Sequence, residues 1–153
     1  MPWLETRVPP PVILLISGGL MFLIDRATPA LAVPVGLRTA LGALLLTCGL
    51  AVTVAGVMAF RRRRKTLNPL RPDEASALVT DGIFRHTRNP MYLGMLLMLC
   101  GWAAYLANPA SLLGPLLFVT YITRFQILPE ERVLRASFQE RSDAYFSATP
   151  RWL

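Results

Sequence analysis

Charge is absent from three long stretches of this chain, and their lengths set the architecture. Residues 8–24 carry no Asp, Glu, Lys or Arg, residues 39–60 carry none over 22 positions, and residues 89–123 none over 35. A helix rises about 1.5 Å per residue and the hydrocarbon core of a bilayer is about 30 Å thick, so about 20 apolar residues make one crossing. The first run is at the short end of that range. It opens on Pro9-Pro10-Pro11, which a helix start tolerates because its first N–H groups have no intrahelical partner, and it closes on Asp25-Arg26. The second run stops at Arg61-Arg62-Arg63-Arg64-Lys65. The third is too long for one straight crossing, and Asn108-Pro109 near its middle supplies a break. It therefore predicts a helical hairpin with spans at about 90–107 and 111–128. Pro129-Glu130-Glu131 suits the start of a last helix, with proline at the first position and carboxylates at the positive end of the dipole. Val133, Leu134, Phe138 and Tyr145 give that helix an apolar face, so it is expected to lie on the membrane surface. The expected fold is all-α and integral to a membrane, with about four transmembrane helices plus a C-terminal amphipathic cytoplasmic helix.

The segments between the runs are polar or broken. Residues 25–38 contain Pro29, Pro34 and Gly36 and read as a loop or a partly interfacial segment. Residues 66–88 form the longest polar stretch: Asn68-Pro69 and Arg71-Pro72 mark turns, Asp73-Glu74 starts a short helix, and residues 78–82 read as a brief extended piece and turn. Within the second run Gly42, Gly49 and Gly56 recur every seven residues and share one helix face, which permits close helix packing.

Composition agrees with a membrane protein: 54% of the 153 residues are hydrophobic. The net charge of +7 is carried almost wholly by Arg. Residues 61–88 and 124–153, with Arg7, hold 14 of the 16 positive residues, leaving only Arg26 and Arg38 for the opposite loops. The positive-inside rule then places both termini, the central loop and any site built there in the cytoplasm, in a plasma or endoplasmic-reticulum-type membrane. No basic face alternates with exposed aromatics, so nucleic acid is not an expected partner. Cys48 and Cys100 fall inside apolar runs, without the close spacing or His and Asp neighbours of a metal site or a disulfide framework. The N-terminus lacks the basic region and small-residue cleavage site of a secretory signal.

Polar chemistry gathers at one membrane boundary. Residues 85–94 pack Arg85, His86, Arg88, Asn89 and Tyr92 into the entrance of the third span. Arg124, Gln126, Glu130 and Glu131 stand at the other cytoplasmic end of the same hairpin. Carboxylates accept from hydroxyls and amines, and Arg pairs with carboxylate or phosphate, so this set suits a polar, zwitterionic ligand. Each member also has a plain structural reading. Arg124 would snorkel from a turn inside the span, the Glu pair would cap a helix dipole, and His86 would be an interfacial polar residue. Spacing alone gives a membrane enzyme or binding protein with a cytoplasmic polar pocket.

The order Leu78-Val79-Thr80-Asp81-Gly82, Phe84, Arg88-Asn89-Pro90, Tyr92 and Gly94, followed by Asn108-Pro109, Glu130-Glu131, Phe138, Tyr145 and Pro150-Arg151-Trp152, resembles the isoprenylcysteine carboxyl methyltransferase and phospholipid N-methyltransferase families. The resemblance covers about residues 66–153, which divides a single membrane domain into a two-span scaffold (1–65) and a cofactor-binding catalytic region (66–153). It implies an integral membrane enzyme that uses S-adenosylmethionine, bound by Leu78, Val79, Phe84, Arg88, Asn89, Pro90, Tyr92 and Glu130. It implies a lipophilic small molecule or lipid as acceptor, methylated on a carboxylate, amine or thiol. Candidate catalytic residues are Arg124, Gln126, Glu131 and His86; His86 and Glu131 are candidate bases should the acceptor be an amine. Two positions depart from the prenylcysteine enzymes. Gln126 stands where those enzymes place a substrate-contacting Arg, with Arg124 two residues earlier as the alternative cation, and Asn89 stands where they carry His. Other readings are an NADPH-dependent membrane reductase of sterol-reductase-like architecture and a non-catalytic membrane protein. Oligomeric state is open.

Overall fold

The computed structural model describes residues 5–65 and 78–153, and among them every regular element is helical. The expected turns at Asn68-Pro69 and Arg71-Pro72 and the helix start at Asp73-Glu74 lie outside the described residues. Helix α1 spans Pro10–Ala27, α2 Val35–Lys65 and α3 Pro90–Leu106. After a 3-10 turn at Pro109–Leu112 come α4 (Leu113–Ile122), a π turn (Thr123–Ile127), α5 (Leu128–Phe138) and α6 (Glu140–Ala148). Among the described residues three helices are long and apolar enough to cross a membrane, Pro10–Ala27, Val35–Arg62 and Pro109–Phe138, and the apolar α3 lies among them with 17 residues. Leu15, Leu44 and Leu116 are at least half exposed on the outer surfaces of these helices, where lipid tails solvate them at no hydrophobic cost.

The glycine stripe of α2 packs inside the chain. It faces α3 in antiparallel register: a Cβ on Gly49 would lie 2.5 Å from the Gly94 carbonyl oxygen, and one on Gly101 would lie 2.8 Å from that of Gly42. Gly56 sits against Pro90 and Met91. No side chain fits between these backbones. Helix α1 docks on the hairpin through Met21, fully buried against Gly114.

At the tip of the hairpin the expected break at Asn108-Pro109 is present. Ala107 takes a left-handed conformation (φ 52°) and closes α3. Asn108 caps the next turn by accepting from the Ala110 N–H at 3.0 Å, and its Nδ2 donates to Thr28 Oγ1 at 2.8 Å and Asp25 Oδ1 at 3.2 Å. One buried amide thus joins the α3–α4 turn to the C-terminal end of α1.

The end of the fourth span differs from expectation. Pro129 does not start a new helix; the chain stays helical from Leu113 to Phe138. A π turn precedes the proline, where the Leu128 N–H reaches back to the Thr123 carbonyl. Pro129 has no N–H for the carbonyl of Phe125, which instead accepts from the Thr6 N–H at 2.9 Å. The single amphipathic surface helix is also divided. Gln139 (φ 43°, ψ −121°) breaks it, and α6 turns back with Tyr145 buried, while Val133 stays exposed on α5. An Arg135–Asp143 ion pair at 3.3 Å spans that break.

The helix contacts give a direct test. Alanine usually improves a helical glycine position by about 1 kcal/mol. Gly94→Ala should instead destabilise by about 3 kcal/mol, because the added methyl meets the Thr53 hydroxyl and, behind it, the Gly49 and Thr53 backbone, which cannot move aside. Gly19→Ala, with nothing within 4 Å of its Cβ position, should be neutral or stabilising. Unfolding of the two variants in detergent distinguishes these outcomes.

Candidate active site

Where α3 begins and α5 leaves the apolar part of the fourth span, the helices diverge around a cavity of about 780 Å³. That volume lies within the range of small-molecule sites. The lining is mainly apolar with a few convergent polar groups. Leu78, Val79, Phe84, Arg88, Asn89, Pro90, Tyr92 and Glu130, separated by up to 52 positions in the chain, all line it.

Local backbone chemistry sets these residues in place. Gly82 adopts φ +61°, the left-handed region that favours glycine, and lets residues 82–85 turn as a 3-10 helix that directs Phe84 inward. The Phe84 carbonyl accepts from the Tyr145 hydroxyl at 2.8 Å. Burial, opposed by nearby Arg88, pushes that hydroxyl up to about 12, so it stays a donor at neutral pH. Pro90 opens α3, which leaves Arg88 and Asn89 in the irregular chain at the helix entrance. Tyr92, one turn in, donates to Glu130 Oε1 at 2.6 Å and so joins α3 to α5 across the cavity.

The two adjacent glutamates have separate surroundings. Successive helical residues point about 100° apart, so Glu130 faces the cavity while Glu131 faces the packing behind it. Glu131 is 7% exposed. It accepts from Arg151 Nε and Nη2, both at 2.8 Å, and pairs with Arg88 Nη1 at 3.2 Å. The Arg151 carbonyl in turn accepts from Asn89 Nδ2 at 2.9 Å, and the Arg88 N–H donates to the Pro150 carbonyl at 3.0 Å. The chain end therefore seals the wall that carries Arg88 and Asn89. The Arg88 guanidinium also lies 4.5 Å from the Phe146 ring centroid, and its Nε is buried with no hydrogen-bond partner among the described residues. Burial lowers the Arg88 pKa, with Glu131 acting the other way.

The four candidate catalytic residues are not among the lining residues. His86 and Arg124 are exposed, Arg124 within the π turn. Gln126 is buried and donates from Nε2 to the Val8 carbonyl at 2.8 Å, which fastens the N-terminal segment to the fourth span. Glu131 is held in the arginine clamp. Sequence reasoning left Glu5, Thr6, Phe60, Arg132, Tyr145 and Phe146 out of the lining, and gave Arg151 no partner. The motif order contained Tyr145 and Arg151, but an Arg–Glu pair twenty positions apart leaves no periodic signal.

The clamp should be measurable. A hydrogen-bonded charged group contributes about 1.5–3 kcal/mol. Arg151→Gln should therefore cost about 2 kcal/mol of unfolding free energy, a value that allows for the partial exposure of the arginine. A double-mutant cycle with Glu131→Gln should give a coupling energy of about 1 kcal/mol or more, whereas independent sites would add to within about 0.5.

A family model described as phospholipid methyltransferase matches residues 37–141, more than half of the 153. The matched span holds all twelve candidate cofactor and catalytic residues. A curated protein of Haemophilus influenzae, described as uncharacterized, is 38% identical over 63 residues, which make up 41% of this chain and the whole of that protein. No solved structure matches. The extent of the family match decides the assignment: this chain belongs to the phospholipid methyltransferase family.

Proposed function

We propose that the chain transfers a methyl group from S-adenosylmethionine to a lipophilic acceptor at the cytoplasmic face of a membrane. Membership in a family of methyltransferases acting on lipid-type substrates supports the reaction class. The observation that carries the reading is the Tyr92–Glu130 pair in the wall of the cavity, beside Arg88 and Asn89.

The donor set fits the cofactor. Leu78, Val79, Phe84 and Pro90 offer an apolar surface for a planar base. Glu130 keeps acceptor capacity beyond its bond to Tyr92, which suits ribose hydroxyls or an amino group. The buried Nε of Arg88, without a partner among the described residues, is a donor suited to a carboxylate. Bound there, S-adenosylmethionine supplies an electrophilic methyl on a sulfonium, open to in-line displacement. The protein's part is to align and to exclude water. Tyr92 fixes the Glu130 carboxylate, Arg151 holds Asn89 through its backbone carbonyl, and Phe84 is held by Tyr145. A carboxylate or thiolate acceptor needs no base. An amine would have to lose a proton, and Glu130 is the glutamate of the pair that faces the cavity. The mixed lining suits a water-soluble donor from the cytoplasm and an apolar acceptor from the bilayer. The basic residues 61–65 and the terminal segments meeting near the cavity support the cytoplasmic orientation.

Equilibrium binding tests the reading. Purified protein should bind S-adenosylmethionine and not NADPH. Glu130→Ala should raise the dissociation constant about 100-fold, the loss expected for charged hydrogen bonds at one carboxylate. Tyr92→Phe should raise it several-fold by releasing that carboxylate. Tight NADPH binding without S-adenosylmethionine binding would assign a reductase. An unchanged constant in Glu130→Ala would refute the site.

A further inference from the structure

The charges lining the cavity are unequally committed. Among the described residues its cations are Arg88 and Arg132, and its carboxylates are Glu5 and Glu130. Arg88 is engaged by Glu131 and stacked on Phe146. Glu130 is held by Tyr92. Arg132 pairs with Glu5, with Nη2 donating to Oε2, and its side chain is 61% exposed.

Glu5 reaches Arg132 from an unusual place. It belongs to the segment before α1, which is fastened to the fourth span at two points: the Thr6 N–H donates to the Phe125 carbonyl that Pro129 leaves free, and the Val8 carbonyl accepts from Gln126. Both bonds are made by backbone groups of Thr6 and Val8, and neither involves the Glu5 carboxylate. It can leave Arg132 without loss of either bond. With the arginine mostly in solvent and the Glu5 side chain 24% exposed, the pair is weak enough for a competing anion to displace the carboxylate. The surroundings favour a ligand with an apolar body: Val133 and Phe60 also line the cavity, and both are exposed.

We propose that Arg132 selects the methyl acceptor by its negative charge, a carboxylate or a phosphate attached to an apolar chain, and that Glu5 occupies the place of that group until the acceptor displaces it. Arg132 lies two residues from Glu130 on α5, and both line the cavity, so the acceptor's anionic end is read beside the residue assigned to the methyl donor. A guanidinium suits either anion because its planar fork matches both oxygen geometries. The inference rests on the methyl-transfer reading for the word acceptor, while the anion preference is measurable by itself.

The test uses the detergent-purified full chain and calorimetric titration with octanoate, octyl phosphate, octanol and octylamine, with S-adenosylmethionine titrated in parallel. One or both anions should bind roughly ten-fold tighter than octanol, the effect of a charge-assisted hydrogen bond. Whichever does so identifies the group as carboxylate or phosphate. Arg132→Gln should bring the anions to the octanol value with the S-adenosylmethionine constant unchanged, and Arg132→Lys should retain part of the preference. Glu5→Gln should tighten anion binding roughly three-fold by freeing Arg132. This variant decides the matter should Arg132→Gln fail to fold. An anion preference that survives Arg132→Gln, weaker anion binding in Glu5→Gln, or octylamine as the tightest ligand would each overturn the proposal. Absent S-adenosylmethionine binding in the unmodified chain would instead defeat the methyl-transfer reading and leave the anion result standing.

Discussion

The buried carboxylate of Glu131 is the point on which the cavity depends. A carboxylate removed from water is costly unless its lone pairs are met. Here they are met by a bidentate arginine from the chain end and a second arginine from the entrance to α3. Satisfying this one charge draws together three segments that are distant in sequence. Arg151 contributes twice, with its guanidinium on Glu131 and its backbone carbonyl on Asn89. Arg88 contributes twice as well, with one face on Phe146 of α6 and one nitrogen on Glu131. The wall behind the cavity is therefore an electrostatic assembly, and Glu130, one residue away, is left to face the cavity because of helical rotation.

A second constraint comes from Pro129. A proline within a continuous helix leaves a carbonyl without its partner. In this chain the helix adjusts through a π turn, and the freed Phe125 carbonyl is used by Thr6. Gln126 in the same turn takes the Val8 carbonyl, and Trp152 donates to Thr123 Oγ1 at 3.2 Å. The segment before α1 and the segment after α6 are thus both fastened to one irregular turn, through Thr123, Phe125 and Gln126. Such turns commonly accompany functional sites, and here the irregularity explains why the N-terminal segment borders the cavity.

The membrane-spanning part supplies rigidity to this polar end. Helices α2 and α3 meet through glycines with no room for side chains, so the entrance of α3, with Pro90 against Gly56, has a fixed position relative to the end of α2. In a lipid environment such packing supplies attraction that the hydrophobic effect does not. The cavity consequently has one wall set by close backbone contact and another set by the Glu131 clamp.

Much of this was legible in the sequence. Uncharged runs gave the spanning helices, because the cost of burying charge in hydrocarbon is large and local. Asn108-Pro109 gave the hairpin turn, since proline and the asparagine cap act within a few residues. The motif order brought Leu78, Val79, Phe84, Arg88, Asn89, Pro90, Tyr92 and Glu130 to notice together, and the structure gathers them around one cavity. Tertiary structure alone decided which of two adjacent glutamates faces that cavity, that Gln126 holds the N-terminal segment, that Arg124 and His86 lie outside, and that Glu5, Arg132 and Phe146 lie around it. It also carried the helix past Pro129 and broke it at Gln139. Periodicity and turn chemistry act between near neighbours and are written in composition and spacing. Pairing between opposite charges, and the rescue of a free carbonyl by a distant N–H, depends on which segments meet in space.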